Sequence, residues 1–145
     1  MNEYLDLTTV RDQVDPSGMW RFIEGFPDQC RFAEKQASEF PLPQWKKLDH
    51  VVICGMGGSA IGGDLFRAYA SPSSPIPIEV VHRYSLPAYV GKHTLVIPCS
   101  YSGNTEETLS CYQEAKERKA HIMAITSGGT LEQWCRGDGN VFLRI

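Results

Sequence analysis

From His50 onward the chain alternates short apolar runs with segments whose apolar residues recur every three to four positions. His50–Cys54 is a β-branched run of the kind a buried strand shows. Ile78–His82, Thr94–Cys99, His121–Thr126 and Val141–Ile145 repeat the pattern. Between them Ser59–Ala70, Asn104–Lys119 and Thr130–Cys135 carry helical spacing, Pro72 to Pro77 reads as a connection, and Leu86 to Lys92 is irregular. Apolar strands separated by helices predict an α/β fold. A parallel crossover needs a helix, and each helix must bury its apolar stripe, so the sheet should be parallel and covered on both faces.

Residues 1–48 have a different rhythm. Asp15-Pro16-Ser17 can start a helix whose stripe is Met19, Trp20, Phe22 and Ile23. Gly25 and Pro27 break it, and Pro27 can sit in the first turn of a second helix running through Cys30, Phe32 and Ala33 towards Ser38. Pro41-Leu42-Pro43 ends this helical arm. The aromatic stripe is expected to pack on the following domain. The chain thus reads as a helical arm, 1–48, and an α/β domain, 49–145. Its last apolar run stops at Ile145, where a covering helix or cap is expected, so the chain reads as a fragment lacking a C-terminal half.

Composition narrows the functions. A chain of 145 residues, 42% hydrophobic and 21% charged, can bury one sizeable core. A net charge of −3 supplies no basic field for nucleic acid or an anionic membrane. A bound phosphate must therefore be held mostly by amides and hydroxyls. Five cysteines without a CxxC pair indicate neither a disulfide framework nor a zinc site, and Cys54 and Cys99 read as buried thiols. A reducing cytoplasm is the expected location. No apolar stretch approaches the ~20 residues of a membrane span. The start, with Asn2, Glu3 and Asp6, is not that of a signal peptide. No metal and no cofactor is called for.

The candidate chemistry lies in two loops. Gly55-Met56-Gly57-Gly58-Ser59-Ala60-Ile61-Gly62-Gly63-Asp64 follows the first predicted strand, and Ser100-Tyr101-Ser102-Gly103-Asn104-Thr105-Glu106-Glu107-Thr108 follows the third. Each opens a helix, so backbone N–H groups and hydroxyls gather where an anion can be held. Ser100, Ser102 and Thr105 offer three hydroxyls, Gly103 permits a tight turn, and Asn104 or Thr105 can cap the helix. The helix dipole adds about 0.3–1 kcal/mol for an anion. Glu106 and Glu107 would repel a phosphate, but acidic residues favour a first helical turn, and Asn104-x-x-Glu107 resembles a capping box.

A second reading of the first loop stays open. Gly55-x-Gly57-x-x-Ala60 fits the dinucleotide fingerprint, although its second strand ends in His82-Arg83 rather than in the acidic residue expected. Arg83 could meet a 2′-phosphate, as in an NADP site, yet this leaves the Ser100–Thr105 loop unexplained. A pocket for a phosphorylated sugar uses both loops. No Walker A pattern occurs.

The two loops, with Tyr84-x-Leu86-Pro87 and Phe26-Pro27-x-Gln29, resemble a sugar isomerase (SIS) domain. More narrowly, they are similar to the N-terminal half of the bifunctional phosphoglucose/phosphomannose isomerase family. The resemblance implies a three-layer αβα sandwich, flavodoxin-like, with a five-stranded parallel sheet. It also implies two SIS domains per full chain, homodimer assembly, and interconversion of glucose 6-phosphate or mannose 6-phosphate with fructose 6-phosphate. It assigns the phosphate to the loop of Ser100, Ser102, Gly103, Asn104 and Thr105, and the sugar to the loop of Gly57, Gly58 and Ser59. Tyr101 and Arg83 are further candidates. The base glutamate, ring-opening histidine and catalytic lysine of the family come from the C-terminal half, and nothing here matches them. Among local residues His82 and Asp64 are weak candidates for a substrate contact, and His50, His93 and His121 have no role. A non-catalytic phosphosugar sensor is the alternative.

Overall fold

A computed structural model describes residues 8–145; Asn2, Glu3 and Asp6 lie outside the described residues. The chain divides into two compact units, the first ending at Phe40 and the second beginning at Pro41. The division falls before the expected 48/49 because residues of the 41–49 segment bond within the second unit: the Asp49 N–H donates to the His93 carbonyl at 2.8 Å, and the Trp45 ring stands 6.1 Å from His121.

The first unit holds α1 (Thr8–Val14), α2 (Met19–Glu24) and α3 (Phe26–Glu39). The sequence pattern missed α1, whose two valines make no stripe. Asp15 serves the start of α2 from a distance along the chain: the helix begins at Met19 after an N-cap at Gly18, later than Asp15-Pro16-Ser17 suggests. The two Asp15 carboxylate oxygens accept the Met19 N–H at 2.9 Å and the Trp20 N–H at 2.7 Å. The Trp20 bond, then the Met19 bond, hold this carboxyl below its ordinary range. Pro27 sits in the first turn of α3, where a missing N–H costs nothing. Met19, Phe22 and Ile23 remain exposed.

The second unit holds β1 (His50–Cys54), α4 (Gly57–Ala70), β2 (Ile78–Val81), β3 (Thr94–Ser100), α5 (Glu106–Glu117), β4 (His121–Thr126), α6 (Gly129–Asp138) and β5 (Val141–Arg144). All strand pairings are parallel and the order is β2-β1-β3-β4-β5. β1 lies beside β3 with Ile53 opposite Ile97, and β3 lies beside β4 with Ser100 opposite Thr126.

One face of the sheet packs on α5 and α6. Val52, Val96, Ala124, Tyr112, Ala115 and Leu131 are fully enclosed there. Each buried Val or Leu contributes about 1.5–3 kcal/mol relative to exposure. At the edge of this core Tyr112 donates its hydroxyl hydrogen to Asp138 at 3.0 Å and accepts from Asn140 at 2.9 Å. Lys116 bonds the other Asp138 oxygen at 2.5 Å. Among the described residues of this unit, α4 is the helix that packs on the opposite face. A Cβ on Gly63 would lie 2.9 Å from Ile53, so this glycine lets α4 settle onto β1. Along β4 fully buried residues alternate with half-buried ones, and Met123 and Ile125 are half-buried.

The strand order places the ligand end of the fold. From β1 the chain leaves through α4 to one side, and after β2 it returns to the other side through β3 and α5. The carboxyl ends of β1 and β3 therefore flank the switch point where α/β sheets open a crevice.

Candidate functional site at the switch point

Both glycine-rich loops enter this crevice. α4 starts at Gly57, whose φ of 53° suits glycine, and no side chain caps it. A Cβ on Gly55 would lie 3.1 Å from the Cys99 carbonyl oxygen, so glycine there allows the two loops to run close. The contact is made by a hydrogen bond: the Tyr101 N–H donates to Ser59 Oγ at 3.3 Å. A cleft of about 440 Å³ opens beside this junction, lined by Gly58, Ser59, Ser100 and Tyr101 over a floor of Ile53, Ile97 and Ile125.

In the second loop Ser100 is buried, and its Oγ lies 2.8 Å from Thr105 Oγ1 and accepts the Gly103 N–H at 3.1 Å. Thr105 occupies the N-cap position of α5 but spends its side chain on Ser100 rather than on a first-turn amide. The first-turn amides of α5 are left directed at the loop, as at any helix start without a side-chain cap. Ser102 Oγ accepts the Asn104 N–H at 3.2 Å.

Asn104 turns away from the cleft. Its Oδ1 accepts the N–H of Thr130 at 3.0 Å and the hydroxyl of Thr130 at 2.9 Å, and its Nδ2 donates to the Ser102 carbonyl. The capping box with Glu107 is therefore not made. A tertiary partner, the start of α6, has taken the side chain that the local pattern assigned to α5. Gly103, at φ 70°, lies against the same neighbour: a Cβ there would come 1.8 Å from the Gly128 carbonyl oxygen. Glu106 accepts from the Tyr84 hydroxyl at 3.4 Å. The carboxylates of Glu107 and then Glu106, with partial burial between them in effect, push the Tyr84 phenol up.

The outlying candidates have other partners. His82 Nδ1 donates to the Gly55 carbonyl at 3.3 Å, and its Nε2 stands 3.5 Å from Asp64, which also pairs with Arg67. Both residues thus brace the first loop. Arg83 Nε donates to the Ser85 carbonyl at 3.2 Å and does not line the cleft. The segment carrying Arg83 is pinned to α5. Cys111 Sγ donates to the Arg83 carbonyl at 3.2 Å, Glu114 accepts the Leu86 N–H at 2.6 Å, and Arg118 donates to the Pro87 carbonyl at 2.6 Å. Cys54 and Cys99 are buried, as the sequence indicates. Burial pushes the Cys99 thiol up to about 12, and a hydrogen bond donated to Cys111 together with burial pushes Cys54 higher, so neither is a thiolate nucleophile at neutral pH.

Sequence reasoning passed over a third loop. Ser127-Gly128-Gly129-Thr130 leaves the carboxyl end of β4 and supports the second loop along its length. The signal was present, since glycines mixed with hydroxyls directly follow a strand there as in the other two.

Comparison with known proteins fits this geometry. Residues 45–136 match the family model described as SIS domain. The chain is 56% identical over 122 residues to the bifunctional phosphoglucose/phosphomannose isomerase of Caldicellulosiruptor bescii, covering 83% of this chain and 36% of that protein. It is 45% identical over 87 residues to the protein of the same name from Thermoplasma volcanium, covering 60% and 28%. Among solved structures the fold is similar to that of tagatose-6-phosphate ketose/aldose isomerase from Escherichia coli, with a TM-score of 0.58, 19% identity, and coverage of 86% of this chain and 35% of that one. The chain spans about a third of the length of the curated relatives it matches.

Proposed function

The chain belongs to the SIS domain family, and from that premise we propose that it is the phosphosugar-binding part of an aldose–ketose isomerase. The reaction is the interconversion of glucose 6-phosphate or mannose 6-phosphate with fructose 6-phosphate. The observation that carries this reading is the hydrogen bond between Tyr101 and Ser59, which joins two helix-opening loops into one seat at the switch point.

The phosphate takes the amides of the α5 first turn with the hydroxyls of Ser100, Ser102 and Thr105, and the sugar lies along Gly57, Gly58 and Ser59. Charge-assisted hydrogen bonds of this kind stabilise by about 1.5–3 kcal/mol each. Held far from the reacting carbons, the phosphate lends binding energy to proton transfer between C1 and C2 through an enediol. The proton-transfer groups come from outside this chain. Among the described residues the cleft is lined by glycines, hydroxyls and apolar side chains, with no carboxylate or imidazole. That same lining favours, as the second reading, a module that binds a phosphosugar without converting it. A homodimer through SIS domains and a cytoplasmic location complete the proposal. Among the described residues no helix is long and apolar enough to cross a membrane.

Titration calorimetry of the intact chain with glucose 6-phosphate and fructose 6-phosphate tests the reading. Heat of binding without isomerase activity from the chain alone is expected, and absence of heat with both sugars overturns it.

A further inference from the structure

The loop after β4 directs the N–H and hydroxyl groups of Ser127 and Thr130 and the N–H of Leu131 to its neighbour. The Ser127 N–H donates to the Tyr101 carbonyl at 3.1 Å, and the Ser127 hydroxyl donates to the same oxygen. The Leu131 N–H donates to the Gly103 carbonyl at 2.9 Å. Thr130 donates through both its N–H and its hydroxyl to Asn104 Oδ1. The two backbones touch: a Cβ on Gly129 would lie 2.3 Å from the Ser102 carbonyl oxygen, and one on Gly103 would collide with Gly128. Thr126, fully buried, closes the turn by donating its hydroxyl to the Gly128 carbonyl at 2.9 Å.

The direction of these bonds carries the functional consequence. The 127–131 segment supplies each donor that crosses between the two loops, and the carbonyls of Tyr101 and Gly103 and the amide oxygen of Asn104 accept them. Carbonyls of Tyr101 and Gly103 held towards this neighbour turn the adjoining Ser102 and Asn104 N–H groups, across the same planar peptides, to the other side. The Ser102 N–H is thereby turned away from α6, and the Asn104 N–H is taken by Ser102 Oγ at 3.2 Å.

We propose that Ser127 and Thr130 are positioning residues for phosphosugar binding: they fix the backbone of 101–104 in the form that receives the phosphate, without touching the ligand. This rests on the reading that the Ser100–Thr105 loop holds a phosphate. Thr130 acts through Asn104 and Ser127 through the Tyr101 carbonyl.

The test pairs two measurements on the full chain. Thr130→Val keeps the N–H and the shape but deletes the hydroxyl donor. It is expected to weaken glucose 6-phosphate binding in calorimetry by roughly tenfold, as the loss of one hydrogen bond implies. Thr130→Ser should restore the affinity. Hydrogen–deuterium exchange in the ligand-free protein should quicken in the segment 101–106 of Thr130→Val, while the β1 and β3 segments keep their protection. A purely structural role would lower Tm and leave affinity and local exchange unchanged. Wild-type affinity in Thr130→Val, or unaltered exchange over 101–106, overturns the proposal. Failure of the wild-type chain to bind glucose 6-phosphate instead overturns the phosphate reading and this inference with it, and the two failures are told apart by the wild-type titration.

Discussion

Replacing Gly103 by alanine should be among the most damaging single changes in the α/β unit. Two costs add. The residue has φ 70°, where a Cβ costs about 1–2 kcal/mol. The added carbon would also sit 1.8 Å from the Gly128 carbonyl oxygen and 2.9 Å from Thr126 Oγ1, and the nearest of these is backbone that no rotamer change can move. Separating the loops breaks the Leu131 to Gly103 hydrogen bond and strains the Thr130 to Asn104 pair, at about 0.5–1.5 kcal/mol for each bond lost. The sum is about 2–5 kcal/mol, a large share of the ~5–15 kcal/mol that holds a domain. At this chain length that lowers Tm by on the order of 10 °C. Gly137→Ala is the matched control. It lies in α6 with nothing within 4 Å of its Cβ position, and should gain about 0.5–1 kcal/mol from helix propensity. Thermal unfolding followed by far-UV circular dichroism reads both. A Gly103→Ala protein melting within ~1 °C of wild type would refute the close approach of the two loops.

Three further outcomes are expected. Thr105→Val should weaken phosphosugar affinity in calorimetry by about 1.5–3 kcal/mol, whereas Ser110→Ala, further along α5, should leave it unchanged; equal affinities would remove the loop from the binding site. Lys116 first, then Tyr112, hold the Asp138 carboxyl below its usual value of 3.8, so its stabilisation is fully present above that pH and is lost as pH falls through the lower folded value. Urea midpoints of Asp138→Asn should therefore fall less steeply than those of wild type below about pH 4, and parallel curves would contradict the pairing. Of the five thiols only Cys30 is exposed, so a native titration with a thiol reagent at pH 8 should give one fast reaction and four more on unfolding; a second fast thiol would mean that the core opens around Cys54, Cys99, Cys111 or Cys135.

The strands were legible because a parallel sheet buried among helices writes itself as β-branched runs. His50–Cys54 and His121–Thr126 begin and end where the pattern puts them, and the parallel sense of the sheet follows from alternation with helices, whereas the strand order does not. Helix starts were less legible. α4 begins at Gly57, two residues before the expected Ser59, because glycines with no side-chain signal form its first turn. α5 begins at Glu106 and not at Asn104, because Asn104 and Thr105 are held by partners in other parts of the fold. The same reason hid the misread capping box: Asn104 and Glu107 have the right spacing, but Thr130, 26 residues away, offers two donors to one oxygen. At the site, the sequence named both loops and could not tell seat from scaffold. Ser59, Ser100 and Tyr101 meet at the cleft, while Gly103 and Asn104 face the β4–α6 loop. Which side of a loop a residue occupies is fixed by long-range packing that no local window contains.

The apolar floor of the cleft has its own consequence. Ile53, Ile97 and Ile125 form the floor of the same cleft whose rim is Ser59, Ser100 and Tyr101. Ile53 is already buried, but the still half-buried Ile97 and Ile125 are a store of driving force, at most about 1.5–3 kcal/mol for each, the full value applying only to a side chain taken from full exposure to full burial. Any roof that dries this floor must border the rim, so roofing and ligand occupancy share a boundary and are thermodynamically linked. The factor by which one changes the affinity of the other is the same in both directions.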